Sequence, residues 1–337
     1  MTPDLDTFLV ALYTIIDDLY QAHYTSTAAS RCGAKPTMSD SEILTLALCA
    51  QWLKLPERQL IRYVKTHWQS YFTHLVSQSQ FNRRFRALAD QLVYLVTLIH
   101  KHMEAVPTDY EVFDCMPVPL MKRCRGDKAK LFQPEIANIG KGGSDRDWYY
   151  GLKLGLAVSP LGPITGFVLA PARTSDRWHA EYLFCHRHNP ESKPVTVQDL
   201  PPDHGKARTG PNGLIWPQAG SGQGNPQLYL TDRGFSGLWW SQHWESDYQT
   251  LVLNPDSYGY EKEEAAELRH VHACYRQVIE NVNEHLSDDL GLNRVVARGK
   301  GGLLARIAAK LLAFNLGVWL NKLFDRPTFA IATLFSF

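Results

Sequence analysis

The stretch from Gln227 to Ser236 constrains the fold of this chain more than any other. It begins with the apolar run Leu228–Leu230, which predicts a short buried strand. Asp232 follows this run and Gly234 breaks it, so the strand is expected to place a carboxylate in a cleft at a sheet edge. The alternative is structural, because an aspartate here also caps a following helix or shapes a turn.

A second acid stands in a matching context. Residues 110–114 predict an extended segment that ends at Asp114, and Pro117 and Pro119 behind it exclude a helix interior. Three further strands are predicted at 148–158, 163–170 and 250–253, with helices at about 175–185, 239–244 and 275–286. Three hairpin-linked strands followed by alternating helices and strands predict an α+β fold, a mixed five-stranded sheet with flanking helices.

Residues 1–105 are predicted to form an all-helical N-terminal domain that binds DNA. Apolar residues between Leu5 and Leu19 follow the spacing of one helix face, and Ser39 and Glu42 form a capping-box signature. A helix that begins near Gln80 carries three arginines opposite its apolar face, namely Arg83, Arg84 and Arg86. They are suited to DNA phosphates or base edges, and equally to surface salt bridges.

Residues 106–337 are predicted to form the second domain, with a loop-rich insertion at about 186–226 and a C-terminal helix. The insertion is rich in Pro, Gly and polar residues and has little periodicity. The apolar stretch 303–323 contains Arg306, Lys310 and Lys322, which favours a buried or amphipathic helix over a membrane span.

The charge of the whole chain gives no sign of a nucleic-acid partner. Its formal net charge is +1, so any DNA binding has to come from local basic patches. One such patch, Lys122, Arg123 and Arg125, follows Asp114 within a few residues and is placed to hold a polyanion. Such a run is also typical of a solvated loop.

A third acid, Glu280, lies on the predicted late helix. Arg276 precedes it by four residues, so both side chains share one helix face. The alternative is a surface salt bridge between these two residues. Asp109 and Glu284 are rival acids, but Asp109 precedes its strand and Glu284 lacks the spacing from Arg276.

Three carboxylates that converge in one cleft repel one another unless cations are present. Two unit charges about 4 Å apart cost roughly 4 kcal/mol at an effective dielectric constant near 20. Oxygen-rich sites suit Mg²⁺ or Mn²⁺, and two such ions activate a water or a 3′-hydroxyl in phosphoryl transfer. The six cysteines include no C-x-x-C pair, which argues for reduced thiols and against a structural zinc site.

The motifs together resemble the bacterial insertion-sequence transposases of the DDE type. The resemblance rests on Asp114 with Pro117-Val118, on Thr-Asp-Arg-Gly-Phe around Asp232, and on the Arg-x-x-x-Glu helix of Arg276 and Glu280. The Ser-Glu-Ile-Leu and Phe-Asn-Arg-Arg segments of the N-terminus also resemble that group. Some relatives extend the last motif by an outer Tyr and Lys, where this chain has Ala273 and Ser287.

This resemblance implies a ribonuclease H-like catalytic core. Asp114, Asp232 and Glu280 are then the catalytic acids that bind two Mg²⁺ or Mn²⁺ ions, and Arg276 contacts a DNA phosphate. The implied activity is cleavage at terminal inverted repeats of double-stranded DNA and joining of the ends to target DNA, by a homodimer in the bacterial cytoplasm at the nucleoid. The alternatives are a metal-dependent nuclease on the same core and a catalytically inactive, transposon-derived DNA-binding protein.

Overall fold

A computed structural model of the chain describes residues 2–28, 36–103, 108–126, 132, 134–142, 147–201, 216–219, 227–258 and 263–336. The chain divides into two compact units. The first comprises Met1–Leu95, His285–Gly291 and Gly301–Phe337, and the second comprises Val96–Glu284 and Leu292–Lys300. The predicted boundary at 105 therefore differs from the observed one, and the C-terminal helix belongs with the N-terminal helices.

The helices of the described residues are, in chain order, α1 (Leu5–Ala28), α2 (Asp40–Trp52), α3 (Glu57–His67), α4 (Gln78–Ala87), α5 (Ala89–Met103), α6 (Arg123–Gly126), α7 (Asp176–His188), α8 (Leu238–Tyr248), α9 (Glu263–Glu284) and α10 (Lys300–Leu323). The strands are β1 (Glu111–Lys122), β2 (Asn138–Gly142), β3 (Asp147–Val158), β4 (Ile164–Pro171), β5 (Trp216–Ala219), β6 (Leu228–Leu230) and β7 (Leu251–Leu253).

The first unit is helical, as its apolar periodicity predicts. The capping box of Ser39 and Glu42 is present at the start of α2, so that prediction is confirmed. The last helix, α10, is buried almost along its whole length because it packs among these helices. Its cations are satisfied there: Arg306 pairs with Glu57, and Lys310 Nζ donates to Gln51 Oε1 at 3.0 Å.

Helix α10 is also the one helix of the described residues that is long and apolar enough to cross a membrane. Of its most apolar window, 78% is buried inside the protein. The burial agrees with the expectation of a buried helix at 303–323.

The second unit is built on a mixed sheet of seven strands, so the predicted α+β class is confirmed. The strand order is β5-β4-β3-β1-β6-β7, with β2 also paired to β3. β1 runs antiparallel to β3 and parallel to β6, and β6 runs parallel to β7. All five predicted strands are present. β2 and β5 are additional, and β5 lies inside the predicted insertion, of which 202–215 and 220–226 fall outside the described residues.

Strand β1 does not end at Asp114, as was predicted, but continues to Lys122 through two prolines. Their position explains why the strand tolerates them. Cys115, Pro117 and Pro119 are alternate residues, so their backbone nitrogens lie on the same side of the strand. The N–H of Cys115 bonds the Asp114 side chain and not β3. A proline at such a position therefore removes no hydrogen bond from the β1–β3 ladder.

Helix α9 begins at Glu263, well before the predicted start at Tyr275. Its first half is largely polar and exposed, which hid the helical period from a search for apolar residues. The buried positions are Ala265, His272, Ile279 and Val282, spaced as on one helix face. Below the sheet, the aromatic core includes Phe113, Phe184, Tyr229, Phe235, Trp178, Trp240 and Trp244.

Candidate functional site

The site forms where strands β1 and β6 separate. Their parallel pairing consists of Glu111 with Tyr229 and Val112 with Leu230. Asp114 and Asp232 each lie two residues beyond the last pair, so parallel strands carry both acids to the same opening in the sheet. Asp232 follows the end of β6 as the sequence predicts, whereas Asp114 lies within β1 and not at its end.

Asp232 also has the structural role that was the alternative. It caps the turn Arg233–Phe235, and its Oδ1 accepts the N–H of Gly234 at 2.8 Å. Its Oδ2 accepts no hydrogen bond from the residues that the structure describes. Burial raises the pKa of this carboxyl, and the charge of Asp176 raises it further. The turn fixes one oxygen and leaves the other available.

Asp114 is held by two donors. The N–H of Cys115 bonds Oδ1 at 2.7 Å, and Arg276 Nη2 pairs with Oδ2 at 3.1 Å. Burial raises the pKa of the Asp114 carboxyl to about 7, against the opposing charge of Arg276 and with the help of the Asp232 charge. The two aspartates are thus close enough to resist joint ionisation.

A third carboxylate at this opening was not predicted from the sequence. Asp176 is the first residue of α7, and its Oδ1 pairs with Lys153 Nζ at 2.9 Å. Lys153 lies on β3 between the buried Leu152 and Leu154. Burial lowers the pKa of its ammonium, but Asp176, together with Cys115 and Asp232, raises that pKa above its usual value. We call Asp114, Asp176 and Asp232 the acidic centre.

One sequence signal pointed to this third acid. Lys153 is the lone charge within the stretch 148–158 of β3, and a lysine at such a position is buried only when it has a partner. The partner was not evident, because Asp176 stands more than 20 residues further along the chain and resembles an ordinary acid in the first turn of a helix.

Helix α9 is docked against the opening by its own side chains. His272 Nε2 contacts the carbonyl oxygen of Thr231 at 2.8 Å, and the ring of Tyr275 meets that of Tyr110 at 5.5 Å. One turn after His272, Arg276 reaches Asp114. The Nε of Arg276 is buried and has no partner among the described residues, so the guanidinium keeps an unused donor beside the acids.

Glu280 is not brought into contact with the two aspartates. It follows Arg276 by one turn, is exposed, and forms no hydrogen bond or ion pair with a residue that the structure describes. Since an α-helix has 3.6 residues per turn, a step of four residues rotates a side chain by about 40° around the axis. The row from His272 through Arg276 to Glu280 therefore turns away from the sheet.

The predicted DNA-binding residues fall into two groups. In the second unit, Lys122 and Arg125 are exposed at the end of β1 and in α6, while the side chain of Arg123 lies outside the described residues. In the first unit, Arg83 and Arg86 are exposed on α4. Arg84 instead bonds Asp40 and the carbonyl oxygen of Met38, which is the salt-bridge alternative.

The donor set of the acidic centre fits a hard divalent cation. It offers carboxylate oxygens from three side chains, and Asp232 Oδ2 accepts no hydrogen bond from the residues that the structure describes. Gly234 keeps the space between two of the acids open. A Cβ there would lie 2.9 Å from Asp232 Oδ1 and 3.0 Å from Asp176 Oδ2.

A softer set of donors lies on the other side of Asp176. Ligand atoms of Cys115, Asp176 and His179 lie within 4.8 Å of one another. Burial raises the pKa of the Cys115 thiol well above its usual value, which keeps it protonated. Both ring nitrogens of His179 face carbonyl oxygens, at 3.1 Å from Ser175 and 3.2 Å from Lys153. These donors are already engaged, so this group is the weaker candidate.

Comparison of the chain with family models, with curated proteins and with solved structures finds no match. The function is therefore argued from the sequence motifs and from the geometry of the acidic centre.

Proposed function

We propose that this protein is a DNA transposase of the DDE type, which cleaves DNA at terminal inverted repeats and joins the ends to target DNA with two Mg²⁺ or Mn²⁺ ions. The observation that carries the proposal is the pair Asp114 and Asp232 at the split between parallel strands. Their carboxyl groups have raised pKa values, and an arginine from a docked helix reaches one of them.

The reaction needs several carboxyl groups close together that stay deprotonated and can bind cations. The bound ions supply an activated water or 3′-hydroxyl and stabilise the leaving oxygen of the phosphodiester. Asp114 and Asp232 would hold them through carboxylate oxygens, which would require Asp114 to be deprotonated. The turn around Gly234 fixes the Asp232 carboxylate, and the Cys115 N–H fixes that of Asp114. Both acids are thus oriented before a substrate arrives.

Arg276 is the proposed contact to the DNA phosphate near the cleaved bond. Its Nη2 pairs with Asp114, and its buried Nε has no partner among the described residues. A guanidinium binds phosphate oxygens through more than one N–H, so an unused donor at this point favours a phosphate partner. Glu280 is assigned as the third catalytic acid by the resemblance, and it stands exposed one turn further along α9.

The exposed basic residues are assigned to the DNA backbone. Lys122 and Arg125 lie on the same unit as the acidic centre, and Arg83 and Arg86 lie on the helical unit. Phosphate contacts of this kind position DNA without reading its sequence. Two element ends have to be processed together, so the active form proposed is a homodimer, located at the nucleoid in the bacterial cytoplasm.

The proposal is tested by cleavage of the DNA that flanks the coding region of this protein. We expect wild-type protein to cut at the repeat boundaries with Mg²⁺ and not with EDTA. Asp232→Asn should lower cleavage by more than about 100-fold while DNA affinity stays within about twofold, since a carboxylate ligand is lost and no basic residue is changed.

Asp109→Asn is the matched control, since Asp109 is an exposed acid just before β1. It should cut as wild type does. Cutting by Asp232→Asn at the wild-type rate would contradict the proposal. A pre-cut end that is not joined to target DNA would favour the nuclease alternative, and DNA binding by wild type without any cutting would favour the inactive DNA-binding protein.

A further inference from the structure

We propose that Asp176 is a further carboxylate ligand of the divalent-cation centre, facing Asp232 and held in position by Lys153. This inference rests on the proposed function and adds a ligand that neither the motifs nor the resemblance assigns. It is carried by the geometry around Gly234 and by the ion pair between β3 and α7.

The first observation is the space between two carboxylates. Asp232 Oδ1 and Asp176 Oδ2 flank the point where a Cβ of residue 234 would stand, at 2.9 and 3.0 Å. The two oxygens therefore face the same small space, and one cation bound there would draw both carboxylates toward it. Any side chain at position 234 would collide with both oxygens, and the sequence has glycine there.

The second observation is the way Asp176 is held. Lys153 fixes Oδ1 at 2.9 Å, the Cys115 thiol is also hydrogen-bonded to the Asp176 side chain, and Oδ2 lies on the side of Gly234. Lys153 is itself anchored in the middle of β3, opposite Pro117 of β1 and Ala170 of β4. The orientation of the Asp176 carboxylate is thus set by the sheet, in the way that a residue outside the metal shell orients a ligand.

A purely structural role explains less of this arrangement. An acid in the first turn of α7 is stabilised by the helix dipole, and an acid beside Lys153 neutralises a buried ammonium. Neither role requires the carboxylate to face two other acids. When all three carboxyl groups are ionised, as cation binding requires, they face two cations, Lys153 and Arg276, which leaves a net negative charge for a bound cation to neutralise.

The test is Mn²⁺ binding by the full chain without DNA, measured by titration calorimetry and by the loss of the free Mn²⁺ spin-resonance signal. Asp176→Asn should weaken Mn²⁺ binding by about tenfold or more, the range expected when a ligand or its direct support is lost. Asp109→Asn should bind as wild type does. Far-UV circular dichroism checks that each variant is folded.

Asp176→Asn leaves the Lys153 ammonium without its counter-charge, and this variant could fail to fold for that reason. A second variant keeps the test valid in that case. Gly234→Ala changes no charge and places a methyl group between the two carboxylates. The backbone of Gly234 is not in the left-handed region, so alanine strains no backbone there, and its methyl group has to displace the two carboxylate oxygens instead. We expect it to weaken Mn²⁺ binding about tenfold or more. Gly299→Ala is the matched control, because a Cβ at Gly299 would meet nothing within 4 Å.

The outcomes separate this inference from the proposed function. Folded wild-type protein that binds no Mn²⁺ would contradict the metal centre itself, and both proposals with it. Mn²⁺ binding that is lost in Asp232→Asn but unchanged in Asp176→Asn and Gly234→Ala would overturn only the role of Asp176. Binding of Zn²⁺ that depends on Cys115, with Mn²⁺ binding unaffected by Asp176→Asn, would overturn it in favour of the Cys115–Asp176–His179 group.

Discussion

Two acids on strand β1, Glu111 and Asp114, stand three residues apart in opposite surroundings. Glu111 is fully buried and pairs with Arg187, whose Nη1 lies 2.5 Å from Glu111 Oε2. Arg187 also donates to the hydroxyl oxygens of Tyr229 at 2.9 Å and Thr165 at 3.2 Å. Asp114 pairs with one arginine, Arg276, and lies in a site that contains two more carboxylates.

The difference shows that burial of a carboxylate does not by itself mark a functional site. Glu181 makes the same point. Its two oxygens accept four hydrogen bonds, from Val195 N, Tyr248 Oη, His243 Nε2 and Trp244 Nε1, at 2.7 to 3.1 Å. Glu111 and Glu181 are each matched by their partners and join elements of the core. The acidic centre is distinguished by a surplus of negative charge.

The largest expected effect comes from Glu111→Gln. This change leaves the Arg187 guanidinium buried without a counter-charge, and breaking one side of a buried ion pair costs about 3–5 kcal/mol. We expect the free energy of unfolding to fall by that amount in urea titrations followed by circular dichroism. Glu245→Gln, an exposed glutamate on α8, is the control and should change it by less than about 0.5 kcal/mol. An equal fall in the free energy of unfolding in both variants would contradict the structural role of Glu111.

An effect of opposite sign is expected for Asp114→Asn in the metal-free protein. The folded-state pKa is about 7, above the usual value of 3.8, so this group contributes stability at low pH that is lost as the pH rises through 7. At pH 8 the asparagine avoids that loss. It also gives up the attraction to Arg276, so we expect a gain of about 1–2 kcal/mol, smaller than the full shift of pKa implies.

Unfolding of both proteins in EDTA between pH 4 and pH 8 measures this gain. The difference between Asp114→Asn and wild type should shrink toward pH 4, where Asp114 is protonated in the folded protein. A variant that is less stable than wild type at pH 8 would show that Asp114 is matched by its partners, as Glu111 is.

The smallest effect on stability is expected for Glu280→Gln. Glu280 is exposed and bonds no described residue, so the free energy of unfolding should change by less than about 0.5 kcal/mol. Cleavage of DNA should nevertheless fall by more than about 100-fold if Glu280 is the third catalytic acid. Unchanged cleavage would remove Glu280 from the catalytic set and leave the acidic centre with Asp176 as its third acid.

The sequence was informative where local pattern and chemistry coincide. The run Leu228–Leu230 followed by Asp232 identified strand β6 and its acid, because a strand that short is buried only if it is apolar. It did not reveal Asp176, since the contact with Asp232 depends on the packing of α7 against the turn at Gly234, which no local pattern records. The prediction also ended β1 too early. Prolines are tolerated in a strand where their nitrogens face away from the paired strand, and only the strand pairing defines those positions.

The unit to which α10 belongs was also not predictable from the local sequence. The composition of α10 predicted burial correctly but could not say which unit would bury it. The apolar residues of α10 are buried among the helices of the first unit, and Arg306 and Lys310 meet Glu57 and Gln51 there, far away in the sequence. Neither these contacts nor the contacts of Asp176 are recorded in the local sequence pattern.

The most direct test of the central claim is cleavage of the flanking DNA by Asp232→Cys in different metal ions. A thiolate binds Mg²⁺ poorly and binds softer ions such as Mn²⁺ and Cd²⁺ better, so a true ligand changes the metal requirement of the reaction. The account predicts that wild type cuts with Mg²⁺ or Mn²⁺, whereas Asp232→Cys cuts only when Mn²⁺ or Cd²⁺ is added. Cutting by Asp232→Cys with Mg²⁺ at the wild-type rate would contradict the account.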